Sequence, residues 1–466
     1  MDLSASRKTA AMLICCLGVL VAQVDTTAVN VALPSIAQQL HASTSQLQWV
    51  VDAYLLVLAS LLMLSGSLGD RLGRKRVLVT GLVIFGGASG LCALASSVWP
   101  LIMMCGLQAV GGSTLAPVAL SIISNIYPDR SERAFAIGIW GAVVGVGMGL
   151  GPIIGGSMVA LYSWRGIFVL NLPIIAITVP LVLYLVPESK ATPPRKIDIP
   201  GQALAITFMA SITFAIIKIG SLGLSTSSVE VATVLAVISG VAFFVVESRV
   251  PVPLLELRFF RSPVFSMATL IGFLEFFSYA GFVFVANLYL QDNLKLAPLK
   301  AGFLMVPLAV VNAVCAPISG WAVGKWGARA LMLAGAIALL GAAILLILMS
   351  FNSSLLQFIV ASMLVGLAIG LANAPVTTLA VSGMPLSRAG VAGATASTAR
   401  QLGQSLGVAV LGATLNARLH AGLPFISAAS TGWYSILAFA GVMAAAGWLS
   451  GTHWAQEKAN AIIQAE

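Results

Sequence analysis

The sequence predicts an all-α integral membrane protein: two six-helix bundles with two further helices between them, fourteen transmembrane spans in all. Three observations carry this. The 466 residues are 59% hydrophobic and only 8% charged, with a mean hydropathy of +1.01, whereas average chains carry about 25% charged residues. The apolar runs are continuous rather than alternating and reach the roughly 20 residues a bilayer-crossing helix needs, which implies helices rather than a barrel. A basic turn also recurs at a fixed distance along the chain, the mark of an internal repeat.

The spans fall near 10–33, 47–67, 77–96, 100–125, 134–158, 165–187, 199–220, 229–247, 263–291, 299–323, 330–350, 355–380, 388–415 and 431–454. The first is read as a span and not a cleaved signal, being long, carrying Asp25 and lacking a small-residue cleavage site. With fourteen spans, 18 of the 24 Lys and Arg lie on the side of the termini, among them Arg7, Arg130, Arg195, Lys196, Arg388 and Lys458, and four lie opposite. That asymmetry is the positive-inside rule, so both termini are expected in the cytoplasm and the protein in the cell membrane. The formal +9 charge is therefore a topology signal and not a nucleic-acid footprint. Five cysteines all fall inside apolar runs, so close packing is expected of them rather than a disulfide framework.

The densest signal is Gly66-Ser67-Leu68-Gly69-Asp70-Arg71-Leu72-Gly73-Arg74-Lys75-Arg76, a basic hairpin turn between spans 2 and 3. A charge cluster held at one membrane face serves either as a latch between bundles or as a topology anchor. Gly320, Lys325, Gly327 and Arg329 repeat Gly66, Arg71, Gly73 and Lys75 at a constant offset of 254 residues, with Gly324 in the place of Asp70. The domains expected are a first bundle at 1–190, a linker with two inserted spans at 191–250, and a second bundle at 251–466. Residues 188–200 read as a proline- and charge-rich linker, and 250–262 as an amphipathic segment lying on the surface.

Polar groups inside the spans are costly and by default functional. Asp25 lies in span 1, roughly 20 Å from its inner end at 1.5 Å per residue. It is a transport group or a structural acid bonded to hydroxyls and backbone. Asp52, near the outer end of span 2, reaches water more easily. Gln108 in span 4 faces either a solute or a neighbouring helix. Span 5 carries two rows of small residues, Gly141, Gly145 and Gly149 on one and Gly147, Gly151 and Gly155 on the other, with Pro152 and Gly156. Such rows let backbones pack closely, and their number favours a sliding or sealing interface. Glu275 lies near mid-membrane in span 9 among Phe273, Phe276, Phe277, Tyr279, Phe282 and Phe284. A carboxylate ringed by aromatics suits an organic cation, although the same rings also suit a lipid-facing surface. Arg400 lies at similar depth in span 13 and is either the salt-bridge partner of Glu275 or part of a coupling or anion site.

At these residues the chain resembles the major facilitator superfamily, and within it the fourteen-helix drug/proton antiporter branch. The 66–76 turn is similar to the superfamily's loop between helices 2 and 3, Asp25 to Pro34 to the branch's first-helix signature, and Gly145 to Gly156 to its helix-5 glycine-proline motif, here Gly145, Gly149, Gly151, Pro152 and Gly155. The Trp164 to Pro173 stretch and Arg400-Gln401-Leu402-Gly403 also resemble that branch. One departure stands out: the family pattern has Arg three residues before the span-4 Gln, where this chain has Cys105, and glycine after it, where this chain has Ala109.

The resemblance implies a major facilitator fold with a central cavity between the halves, lined by spans 1, 2, 4, 5, 9, 10, 12 and 13 and open to one side at a time. It implies proton-coupled efflux of a hydrophobic, cationic compound. Asp25, Glu275 and Arg400 are then the coupling groups, and Gln108, Phe273, Phe277, Tyr279, Asn287, Asn373 and Gln404 the cavity positions. Gly66, Asp70, Arg71, Gly73, Arg74 and Arg76 form the cytoplasmic latch. The expected partners are a small-molecule substrate, protons and the bilayer, in a monomer without cofactor, metal or nucleic acid. The alternative is a proton symporter or facilitator for a metabolite or siderophore. An enzyme is disfavoured, since the three histidines form no metal-ligand cluster and no P-loop or nucleophile–base pair is present.

Overall fold

The computed structural model describes residues 4–190, 198–223, 226–250, 253, 255–350, 354–382 and 389–465. Arg195, Lys196 and Arg388 lie outside the described residues, as do 191–197 of the expected linker and 251, 252 and 254 of the expected surface segment. Backbone N–H and C=O groups in hydrocarbon must be satisfied within the chain, and every long element is accordingly a helix. These are α1 (Ala5–Leu40), α2 (Thr44–Leu72), α3 (Arg74–Ala93), α4 (Val98–Ile126), α5 (Arg130–Leu161), α6 (Arg165–Leu185), α7 (Ile199–Leu222), α8 (Ser227–Glu247) and α9 (Pro263–Leu288). The run Pro298–Ile347 follows, then α12 (Leu355–Ser382), α13 (Ala389–His420), α14 (Phe425–Ser450) and α15 (His453–Ala465).

The 50 residues of Pro298–Ile347 would make a rod about 75 Å long, far more than one bilayer crossing. Gly327, at φ 76°, breaks the run into α10 (298–326) and α11 (328–347). Both arms pack on α12 in opposite directions. Along α10, Leu308 meets Gly366, Asn312 and Cys315 meet Gly370, and the Ser319 hydroxyl donates to the Leu371 carbonyl at 2.6 Å; along α11, Gly335 meets Ala372 and Gly341 meets Leu364. The run is thus a helical hairpin. Twelve helical runs are long and apolar enough to cross a membrane among the described residues. Counting the hairpin twice and adding α13, which Arg400, Gln401 and Gln404 make too polar for that set, yields the expected fourteen crossing-length helices.

Gly73 occupies the corresponding turn between α2 and α3, also at positive φ (114°). A side chain disfavours that backbone region, so the repeated glycines mark a repeated turn geometry as well as a repeated sequence. The last crossing ends at Ser450, short of the expected 454. A turn at Gly451 and Thr452 redirects the chain into α15, whose Ala455 and Ala459 pack on Val264 at the start of α9.

The chain divides into two compact units, Met1–Gln202 with Leu296–Phe303 and Ala203–Lys295 with Leu304–Glu466. In the first, α5 runs alongside α1 in the same direction. Gly147 lies against Leu20 and Gln23, Gly151 against Val24 and Thr27, and Gly155 against Ala28, so this glycine row allows backbone-to-backbone approach. The other row differs, because nothing among the described residues comes within 4 Å of a Cβ added at Gly141 or Gly145. In the second unit α9 is the central element, buried along most of its length and packed by α12, α13 and α14. Gly403 and Gly407 bring α13 onto the Phe273 and Phe277 carbonyls of α9. Helix α7 joins through Gly220, whose carbonyl accepts from Asn416 Nδ2 at 3.3 Å. Helix α8 leaves Val231, Val234, Val237, Ile238 and Val241 exposed, as expected for a helix that faces lipid.

Candidate functional site

Asp25 sits in the first unit where α1, α3, α4 and α6 converge, and only 2% of its surface is exposed. Its Oδ1 accepts from Asn171 Nδ2 at 2.6 Å, and the Gln108 amide also bonds it. Both amides are tied to one hydroxyl. Ser89 Oγ accepts from Asn171 Nδ2 at 2.9 Å and from Gln108 Nε2 at 3.3 Å, and donates to the Phe168 carbonyl at 2.9 Å. The hydroxyl thereby uses its one proton and both lone pairs. The set is four side chains from four helices, each buried, holding a carboxylate with neutral donors alone. Gln108 therefore bonds neighbouring helices, one of the two roles its sequence position allowed. Asn171 and Ser89 are the members that sequence reasoning missed. For Asn171, an amide in the middle of an otherwise apolar span, seven residues after Trp164, was the available signal.

Cys105, where the family pattern has Arg, lies one helical turn from Gln108, with its Sγ 3.9 Å from that of Cys92 on α3. A thiol supplies no positive charge to Asp25, so the network holds the acid by hydrogen bonds instead.

In the second unit Glu275 is 1% exposed, and neither carboxylate oxygen has a hydrogen-bond partner among the described residues. Arg400 is its charge partner through space, yet the guanidinium donates elsewhere, to Thr377 Oγ1 at 3.0 Å and Ser397 Oγ at 2.9 Å, with its centre 6.0 Å from the Phe276 ring. Gly272, one turn before Glu275, leaves room for the Arg400 stem, since a Cβ there would lie 3.4 Å from Arg400 Cγ. The pair is thus not a closed salt bridge. The acid faces the cation without contact, in a setting where an unpaired charge is expensive.

The aromatic positions divide. Phe277 packs edge-on against Phe439 of α14 with ring centres 4.9 Å apart, and Phe273 and Tyr279 contact Phe277 and Phe276 respectively. Asn287 is buried at the far end of α9, where its amide bonds the Val283 carbonyl. Asn373 and Gln404 are half-buried on α12 and α13. Asn287 lies about three turns beyond Glu275 along α9, well away from Phe273.

At the turn between α2 and α3, Asp70 Oδ1 accepts from Arg74 at 2.8 and 3.2 Å, a pair spanning the break in the helix. Glu188, just past the end of α6, completes the turn. Its carboxylate accepts from the backbone N–H of Lys75 (3.1 Å) and Arg76 (3.3 Å), capping the start of α3, and it lies 3.8 Å from Arg76 Nε. A Cβ on Gly73 would lie 2.7 Å from that carboxylate, which gives this glycine a second reason beside its φ. Arg71 is exposed, and Gly66 has no neighbour within 4 Å of an added Cβ. Glu188 was legible only as a charge in a linker. Its position on the same membrane side as the basic turn was the clue.

A family model described as Major Facilitator Superfamily matches residues 15–408. This chain belongs to that superfamily. Among its relatives, the multidrug efflux pump LfrA of Mycolicibacterium smegmatis is 33% identical over 412 residues, covering 88% of this chain and 82% of LfrA. The riboflavin transporter RibZ of Clostridioides difficile is 32% identical over 408 residues, covering 86% and 87%. A solved bacterial homologue of the human lysosomal transporter Spinster, in an inward-facing and occupied conformation, superposes with a TM-score of 0.66 at 17% identity, covering 98% of each chain. That likeness is one of fold. Membership in the superfamily makes the fourteen helices a transporter scaffold, with Asp25 and Glu275 buried inside its spans.

Proposed function

We propose that this superfamily member exports a hydrophobic, cationic compound in exchange for protons, by alternating access across the cell membrane. In this reading both termini are cytoplasmic and the working form is a monomer without enzymatic activity. Asp25 and Glu275 carry the exchanged protons, Arg400 tunes Glu275, and the Asp70–Arg74 pair with its neighbours stabilises the closed cytoplasmic end. The observation that carries the proposal is that each unit buries a mid-span acid with no cation bonded to it among the described residues. Asp25 is held by neutral amides, and Glu275 by no hydrogen bond among the described residues. Such a group is stable in hydrocarbon when it holds a proton, and a cationic solute or entering water stabilises its charged form. Gly141 and Gly145 of α5, which meet nothing among the described residues, are the surface left for movement. Relatives named as efflux pumps support export, and one named as a riboflavin transporter means that the superfamily alone does not identify the solute.

The test is reconstitution in proteoliposomes with tetraphenylphosphonium as the probe cation. Efflux and probe-induced proton release are measured for Asp25→Asn and Glu275→Gln separately, with thermal stability checked in each. At least one variant should transport the probe without releasing protons, or lose transport while remaining folded. Wild-type coupling in both would overturn the assignment.

A further inference from the structure

The two repeated turns share a backbone geometry but treat their cations in opposite ways. In the first unit, carboxylates and carbonyls occupy the basic groups: Asp70 holds Arg74, Glu188 faces Arg76, Lys75 Nζ bonds the Leu183 carbonyl and Arg7 the Tyr184 carbonyl. In the second unit the acid is gone, Gly324 standing where Asp70 stands in the first. Indoles take its place. Lys325 Nζ lies 4.3 Å above the ring of Trp321, Arg329 Cζ 3.8 Å above Trp448, and Lys458 Nζ 4.9 Å above Trp454. Trp326 adds a fourth ring, edge-on to Trp321 at 6.4 Å. Gly451 draws the end of α14 against the Arg329 stem, which brings the α10–α11 turn and the α14–α15 turn together.

These four are among the nine tryptophans of the chain, and at 50 to 65% exposure none of them is core. A cation held over a ring face still has N–H donors available for an acceptor. Among the described residues no hydrogen bond or ion pair engages Lys325, Arg329 or Lys458, and Glu457, the acid beside Lys458 in sequence, is exposed and makes no ion pair. Exposed indoles at helix ends belong at the headgroup level of a bilayer, and clustered cations at that level attract phosphate.

We infer that this end of the second unit is a docking surface for anionic phospholipid headgroups, with Lys325, Arg329 and Lys458 binding the phosphate and Trp321, Trp326, Trp448 and Trp454 seated among the upper acyl chains. The inference does not depend on which solute is carried or on proton coupling. A zwitterionic headgroup, whose own cation opposes those on the protein, binds this surface less well.

The experiment is native mass spectrometry of the full-length protein titrated with phosphatidylglycerol and, separately, with phosphatidylcholine of the same chain length. The wild type should retain phosphatidylglycerol preferentially. Each of Lys325→Gln, Arg329→Gln and Lys458→Gln should lower that preference about five-fold, the size expected for one interfacial cation. Trp448→Leu should weaken it with every charge intact. Arg71→Gln in the first unit, also an exposed cation at a turn, should leave it unchanged. Equal retention of the two lipids would overturn the inference, as would a triple variant that keeps the wild-type preference or an Arg71→Gln protein that loses it. Because the readout is bound lipid on folded protein, it holds whether or not the transport assignment does.

Discussion

Two glycines on one helix, replaced in the same way, should affect stability very differently. Gly155 and Gly145 both lie within α5, and Ala is worth about 1 kcal/mol more than Gly in a helix interior at either position. That contribution cancels when the two variants are compared, which leaves packing. At Gly155 a new Cβ would sit 2.7 Å from the Ala28 carbonyl oxygen and 2.9 Å from Ala28 Cα. Both are backbone atoms of α1, so no rotamer change relieves them and the helices must separate. Overpacking of this kind costs about 1–3 kcal/mol. At Gly145 the added methyl meets nothing within 4 Å in its own unit. Gly145→Ala should therefore be about 1 kcal/mol more stable than wild type, and Gly155→Ala should fall below Gly145→Ala by about 1–3 kcal/mol. Thermal unfolding of the purified protein, followed by size-exclusion chromatography after heating, ranks the three. If Gly155→Ala proves as stable as Gly145→Ala, the close approach of α1 and α5 along this row is wrong. Transport adds a second readout: if the open row is the moving surface, Gly145→Ala gains stability and loses rate.

Asn171→Leu removes the amide that serves both Asp25 and Ser89, leaving two buried acceptors short of a donor at about 1–3 kcal/mol each; a double-mutant cycle with Asp25→Leu should recover much of the loss, and strict additivity would show the two to be uncoupled. Gly73→Ala should destabilise by about 1–3 kcal/mol through its positive φ and also displace Glu188. Glu188→Ala alone should cost about 0.5–2 kcal/mol as a lost helix cap. The two changes together should cost less than their sum, measured by the same thermal ranking, and full additivity would refute the shared turn.

Much of the architecture was legible because hydrocarbon admits few solutions. A run of some twenty apolar residues bounded by charge can only be a crossing helix, so the helix positions, the hairpin between α10 and α11 and the repeat at Gly73 and Gly327 could be read directly. Asp25, Glu275 and Arg400 stood out for the same reason, as charges where charge is costly. Partnership was not legible. Gln108 looked equally suited to a solute or a helix until α3 and α6 brought Ser89 and Asn171 beside it. Glu275 and Arg400 looked like a salt bridge until Thr377 and Ser397 took the guanidinium. Glu188 and Trp448 were invisible as sites because each meets its partners across more than a hundred residues of chain, whereas Trp321 and Trp454 lie one helical turn from Lys325 and Lys458 and could have been read from that spacing.

The sequence by itself therefore determined that the chain spans a membrane, how often, and at what depth its charges lie. These follow from the one-dimensional order of apolar and polar residues against a slab of fixed thickness. Only the tertiary structure decided which charges are satisfied: among the described residues Asp25 is bonded and Glu275 is not, and the two basic turns find carboxylates in one unit and tryptophans in the other. Hydrogen bonds and ring contacts act over a few ångströms, and which side chains come that close depends on helix rotation and packing, which composition and periodicity do not encode.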